Sequence, residues 1–139
     1  MNQQQTNEKL CLRVPAERSK EGEIRSSARA WLRDRNVPED QAVDVLLAMG
    51  EMFSNAVDAT STSADVTVRL SMMIDAVTVK VFNVGPPFRV DTQQREAECE
   101  RGRGLGIVSA LGAMKVRCAG GRTVVTCELP ATRYQRWRT

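Results

Sequence analysis

Glu51 and Asn55 stand four residues apart in the stretch Leu46–Ala59, LLAMGEMFSNAVDA. On a helix that spacing makes them neighbours on one face, with Cβ atoms about 6 Å apart. The residues around them, Ala48, Met52, Ala56 and Ala59, are small or apolar. A solvated helix face carries long charged side chains instead, so a carboxylate and an amide on this background suit a cation, a water or a ligand held between them. The same pair is also compatible with a satisfied core amide beside a partly exposed glutamate, and the helix alone does not separate the two.

Three glycine-bearing turns follow. Asn83-Val84-Gly85-Pro86-Pro87 leads off a strand, Arg101-Gly102-Arg103-Gly104-Leu105-Gly106 precedes an apolar segment, and Gly120-Gly121-Arg122-Thr123 opens a last strand. At the start of a helix, free N–H groups and the positive end of the dipole suit a phosphate. Taken singly, each glycine cluster indicates only a backbone turn with positive φ.

The elements that position these residues are read from periodicity. Leu10–Val14 alternates as a short strand stopped by Pro15. Glu17–Arg35 carries Ile24, Ala28, Trp31 and Leu32 at helical spacing, and Asn36–Asp40 breaks it. Pro38 opens a second helix, Glu39–Ala59, with Val43, Leu46, Leu47, Gly50, Phe53 or Ser54, and Val57 expected on its core side. Val66–Leu70 and Val77–Phe82 alternate as a hairpin. Arg89–Arg103 is expected as a loop, Gly104–Ala113 as a short helix, and Met114–Cys118 with Thr123–Leu129 as a hairpin about Gly120-Gly121. The order β-α-α-β-β-loop-α-β-β predicts an α+β fold: a two-layer α/β sandwich in which helices cover one face of a mixed, mostly antiparallel sheet.

Composition bounds the rest. The 139 residues fit one domain, expected at 10–130, with a polar disordered lead-in at 1–9 and a basic tail at 131–139. A net charge of +3 gives no field for nucleic acid, and no run is apolar enough for a bilayer, so a cytoplasmic protein with no nucleic-acid or membrane partner is expected. Histidine is absent, and Cys11, Cys99, Cys118 and Cys127 show no CxxC spacing, which speaks against zinc and against histidine-based catalysis. A two-residue Gly120-Gly121 turn sets Cys118 opposite Thr123 and away from Cys127, so reduced, mostly buried thiols are expected. Trp31, Met49, Met52, Met72 and Met73 are expected as core or interface residues, and Arg133–Arg138 as a solvated tail.

The joint order of ExxxNA on a helix, NxGPP after a strand, RGRGLGI before a helix and GGRT before a final strand resembles the GHKL-type (Bergerat) ATP-binding fold. Within it the chain is most similar to the bacterial anti-sigma-factor serine/threonine kinases of actinomycete type, over roughly residues 10–130. The resemblance implies ATP and Mg²⁺ as cofactors. Asn55 would ligate Mg²⁺, and Glu51 would be the catalytic base toward a partner's Ser or Thr hydroxyl. Gly85 would lie against the adenine, and Thr123 would support the base pocket. Arg103, Gly104, Leu105 and Gly106 would wrap the phosphates below a short lid at 89–103. It further implies a sigma factor and an anti-anti-sigma (STAS-domain) protein as partners, and a homodimer for which the exposed edge of Leu10–Val14 is the expected meeting point.

The chain departs from the family at Asn83, where relatives carry an Asp that accepts the adenine amino group. Asn can accept through its carbonyl and turn its amide to ring N1, but the charge-assisted bond is lost. Weaker affinity, altered base preference and lost catalysis are the consequences this opens. Asp58 stands where relatives often have His. Two other functions stand beside the kinase: a partner-sequestering module of the same fold without turnover, and a detached histidine-kinase-like ATPase, which the lack of any histidine disfavours.

Overall fold

The computed structural model describes residues 2–5, 9–60, 64–84 and 111–131. Two helices, α1 (Glu21–Asp34) and α2 (Glu39–Ala59), lie on one face of a sheet built from β1 (Asn2–Gln5), β2 (Lys9–Pro15), β3 (Asp65–Met72), β4 (Ala76–Val84), β5 (Ala113–Ala119) and β6 (Arg122–Pro130). The strand order is β1-β2-β3-β4-β6-β5, and every pairing among the described strands is antiparallel. The α+β two-layer architecture expected from the sequence is the one observed.

Period-2 alternation makes the sheet one-sided. Leu10, Leu70, Val79, Cys127 and Met114 form one row across the strands, and Leu12, Val68, Val81, Val125 and Val116 form the next. Ile24, Ala28, Trp31 and Leu32 of α1 and Val45, Met49, Met52 and Phe53 of α2 close over these rows, all buried. The roles expected for Trp31, Met49 and Met52 as core residues hold.

The helix ends follow local chemistry. Asn36 takes a positive φ of 57° and ends α1: its N–H donates to the Arg33 carbonyl, and that of Val37 to the Leu32 carbonyl. This is the double bond of a Schellman cap, in a left-handed residue that Asn tolerates. Pro38 supplies the extended residue ahead of α2, whose boundaries match the expected ones. Gly120 and Gly121, with φ of 57° and 78°, turn β5 into β6 and place Cys118 opposite Thr123.

Four expectations need correction. First, Val43 and Leu47 are exposed on α2, while Ala42, Val45, Ala48, Met49 and Met52 are buried. The helix packs against both α1 and the sheet, so its apolar surface is wider than one stripe and its centre is rotated. Second, Asn2–Gln5, expected as disordered, pairs with β2, because ladder bonds are made by main chain and need no apolar side chains. Strand β2 is therefore not an open edge, and the argument for a dimer through it falls away. Third, Met73 is exposed, in the turn between β3 and β4, which removes the core half of its expected core-or-interface role. Fourth, Cys118 is disulfide-bonded to a partner outside the described residues; hairpin spacing excludes only a pairing with Cys127. Among the described residues no helix is long and apolar enough to cross a membrane.

Candidate functional site

The apolar ladder turns polar at one end of the sheet. The row after Leu12, Val68, Val81 and Val125 reads Val14, Val66, Asn83, Thr123 and Cys118. Asn83 and Thr123 are direct cross-strand partners there, on the face that carries the helices. Asn83 is only 2% exposed, and its Nδ2 is buried with no hydrogen-bond partner among the described residues. Leaving a buried donor unsatisfied costs about 1–3 kcal/mol, so such a group in a native fold requires an explanation. Thr123 Oγ1 lies 3.8 Å from the Cys118 sulfur and is half-buried.

Helix α2 brings its polar pair to the same end. Its first turn is fixed at the opposite end of the sheet, where Gln41 Nε2 donates to the Leu129 carbonyl at 3.1 Å, and Leu129 lies opposite Val77. From Gln41 to Asn55 the helix rises ~21 Å. From Val77 to Asn83 strand β4 advances ~20 Å. The C-terminal half of α2 therefore reaches the level of Asn83, and the chain re-enters the sheet at Asp65–Val66, in or beside that row. Glu51 and Asn55 are both half-buried, and neither makes an ion pair or a side-chain hydrogen bond among the described residues. The helix stops just beyond them, where Thr60 Oγ1 donates to the Ala56 carbonyl at 2.6 Å.

One neighbour of this end had no signal in the sequence. Arg18, in a short 3-10 turn before α1, donates to Asp58 at 2.5 Å across 40 residues of chain. The hydrogen bond and negative charge of Asp58 raise the Arg18 pKa above its ordinary value. Both groups are exposed, so the pair orients the 3-10 turn against the end of α2 more than it stabilises the fold.

The described structure thus brings four of the expected site residues, Glu51, Asn55, Asn83 and Thr123, to one end of the two-layer fold. Gly85, Arg103, Gly104, Leu105 and Gly106, and the lid at 89–103, lie outside the described residues. Among the described residues no cluster of three acidic, cysteine or histidine side chains could hold a metal by itself. A cation here would be held by Asn55 and by whatever ligand it accompanies, which is how Mg²⁺ commonly binds beside phosphates.

A structure of the RsbU and RsbW domains of a Mycobacterium tuberculosis protein is similar over 87% of this chain, with a TM-score of 0.68 and 20% identity; the chain spans 31% of that longer one. The SiaB–SiaC complex from Pseudomonas aeruginosa is similar over 86% of this chain and 88% of its own, with a TM-score of 0.61 and 18% identity. At these identities the likeness establishes the fold. No curated protein matches the sequence. The model of the histidine kinase-like ATPase domain, HATPase_c_2, matches residues 14–127. With that match running over both helices, strands β3 to β5, the end of β2 and most of β6, the chain belongs to the family of histidine kinase-like ATPase domains.

Proposed function

We propose that this chain is an ATP-dependent protein serine/threonine kinase acting as an anti-sigma factor in the cytoplasm: it sequesters a sigma factor and phosphorylates an anti-anti-sigma, STAS-domain protein. The observation that carries the reading is the buried Asn83 amide nitrogen, without a partner among the described residues, opposite Thr123 at the end of the sheet toward which the C-terminal half of α2 runs. The residues present fit a nucleotide, since the edge of a base supplies the acceptor that Asn83 Nδ2 lacks. Family membership and the likeness to the RsbW-containing structure support the same reading.

Bound Mg-ATP supplies the transferable phosphoryl group and a cation that neutralises its charge. Asn55 offers a neutral side-chain oxygen to that cation. Asn83 and Thr123 hold the base, with Gly85 beside it. Arg103, Gly104, Leu105 and Gly106 supply N–H groups and positive charge to the phosphates. Glu51 accepts the proton of the partner's Ser or Thr hydroxyl and fixes its oxygen in place. A homodimer belongs to the same proposal, through a surface other than the covered side of β2.

Incubation with Mg-ATP and a matching STAS-domain protein should yield a phosphoserine or phosphothreonine in that protein by mass spectrometry. The buried Asn83, in place of a carboxylate, motivates a second reading: a module that binds its partner without phosphorylating it. Calorimetric absence of nucleotide binding together with partner capture would establish that second reading and end the first.

A further inference from the structure

The orphaned amide of Asn83 bears on which base the site takes, an inference that rests on the nucleotide reading above. A carboxylate at this position could only accept hydrogen bonds, and would demand a donor on the base. An amide presents a donor and an acceptor side by side, and rotation about its Cβ–Cγ bond reverses their order. A 6-amino purine offers a donor at N6 next to an acceptor at N1. A 6-oxo purine offers an acceptor at O6 next to a donor at N1. Each edge matches one orientation of the same amide with two hydrogen bonds.

Nothing in the row around Asn83 selects one orientation. Its neighbour on β3 is Val66, fully buried and apolar. Its neighbour on β6 is Thr123, whose hydroxyl both donates and accepts. Beyond them stand Val14 and the Cys118 sulfur, and no charged side chain occurs in the row. The side chain is 2% exposed, so a base must displace what covers it to pair with the amide, and a donor left unpaired beneath a mismatched base would then be cut off from water.

We propose that Asn83 makes the base subsite tolerant of both 6-amino and 6-oxo purines, so that this chain binds ATP and GTP with comparable affinity. Asn83 is then the residue that sets base specificity, and Asn83→Asp restores a preference for the 6-amino base. The test is calorimetric titration of the full chain with Mg-ATP, Mg-GTP and Mg-ITP. Dissociation constants within about tenfold of one another, with Asn83→Asp losing GTP and ITP by at least that factor and keeping ATP, are expected. A preference of the unaltered chain for ATP of more than about tenfold overturns the proposal while leaving the nucleotide site in place. Absence of binding by all three nucleotides overturns the nucleotide reading and this proposal with it. The comparison within the unaltered chain decides the matter even if the variant fails to fold.

Discussion

Asn83 and Thr123 face each other across β4 and β6 at the end where, among the described residues, the helix-covered side of the sheet stops being apolar. The row before them is aliphatic, and the amide is 2% exposed with no partner for its nitrogen among the described residues. A group held this way trades stability for recognition. Replacing it with a hydrocarbon of similar volume removes the unsatisfied donor. Asn83→Leu should therefore raise unfolding stability by about 1–2 kcal/mol, measured by urea denaturation, and should abolish nucleotide binding. A variant less stable than the parent would show that the amide is satisfied in solution.

Gln41 is the other buried polar side chain among the described residues, and it anchors α2 at the far end through the Leu129 carbonyl. Since the position of Asn55 along the sheet is set by where α2 starts, this bond fixes how far α2 reaches toward the site. Gln41→Ala leaves that carbonyl to find another donor and should cost about 1–3 kcal/mol in chemical denaturation. It should also weaken nucleotide binding although residue 41 lies ~20 Å from the site. Unchanged stability would mean that the carbonyl is satisfied without it.

Much of this was legible in the residues, and the misses have physical causes. The limits of α2 follow from Pro38 and its apolar content, and the Gly120-Gly121 turn from the φ values that only such residues adopt freely. The pairing of Asn83 with Thr123 follows from two alternating strands once their order is known. The rotation of α2 was not legible: a helix wedged between a second helix and a sheet buries more than half its circumference, so Val43 and Leu47 look as internal as Val45. The pairing of Asn2–Gln5 with β2 was hidden because its bonds come from the backbone. Arg18 and Asp58 meet through tertiary folding alone, which leaves no periodic trace.

Gly112 has a tighter requirement than a turn. A Cβ there would fall on the Glu128 carbonyl oxygen and come within 3.1 Å of Cys127 Sγ. The obstruction is backbone in a paired strand, so it cannot rotate away, and β5 would have to lift from β6. Gly112→Ala should cost about 1–3 kcal/mol, the range of overpacked sites, seen as a lower thermal midpoint. An unshifted midpoint would show that the hairpin yields freely there.

Cys127 lies in the middle of the apolar row, and its burial, with a smaller contribution from the charge of Glu128, pushes its thiol pKa up to about 11. The unfolded thiol titrates near 8.5. A folded value above the unfolded one gives a contribution that is complete below about pH 8.5 and lost as pH rises toward 11. Between those limits the chain should lose on the order of 2–3 kcal/mol that Cys127→Ala does not lose. Urea denaturation of both proteins across pH 7 to 11 measures the difference, and parallel profiles would contradict it.

Glu51 and Asn55 share a helix face but have separable duties in the proposed chemistry, and their half-buried side chains, without ion pairs among the described residues, leave both open to a ligand. A neutral isostere at Glu51 removes proton acceptance and keeps shape, whereas loss of the Asn55 oxygen removes a contact to the cation. Glu51→Gln should lower phosphotransfer by about 10²–10⁴-fold with nucleotide affinity changed less than about threefold. Asn55→Ala should weaken Mg²⁺-dependent nucleotide binding itself, and excess Mg²⁺ should recover part of the loss. Paired calorimetry and phosphorylation assays separate the two. Equal loss of binding in both variants would mean that Glu51 contacts the nucleotide or its metal and is not the base.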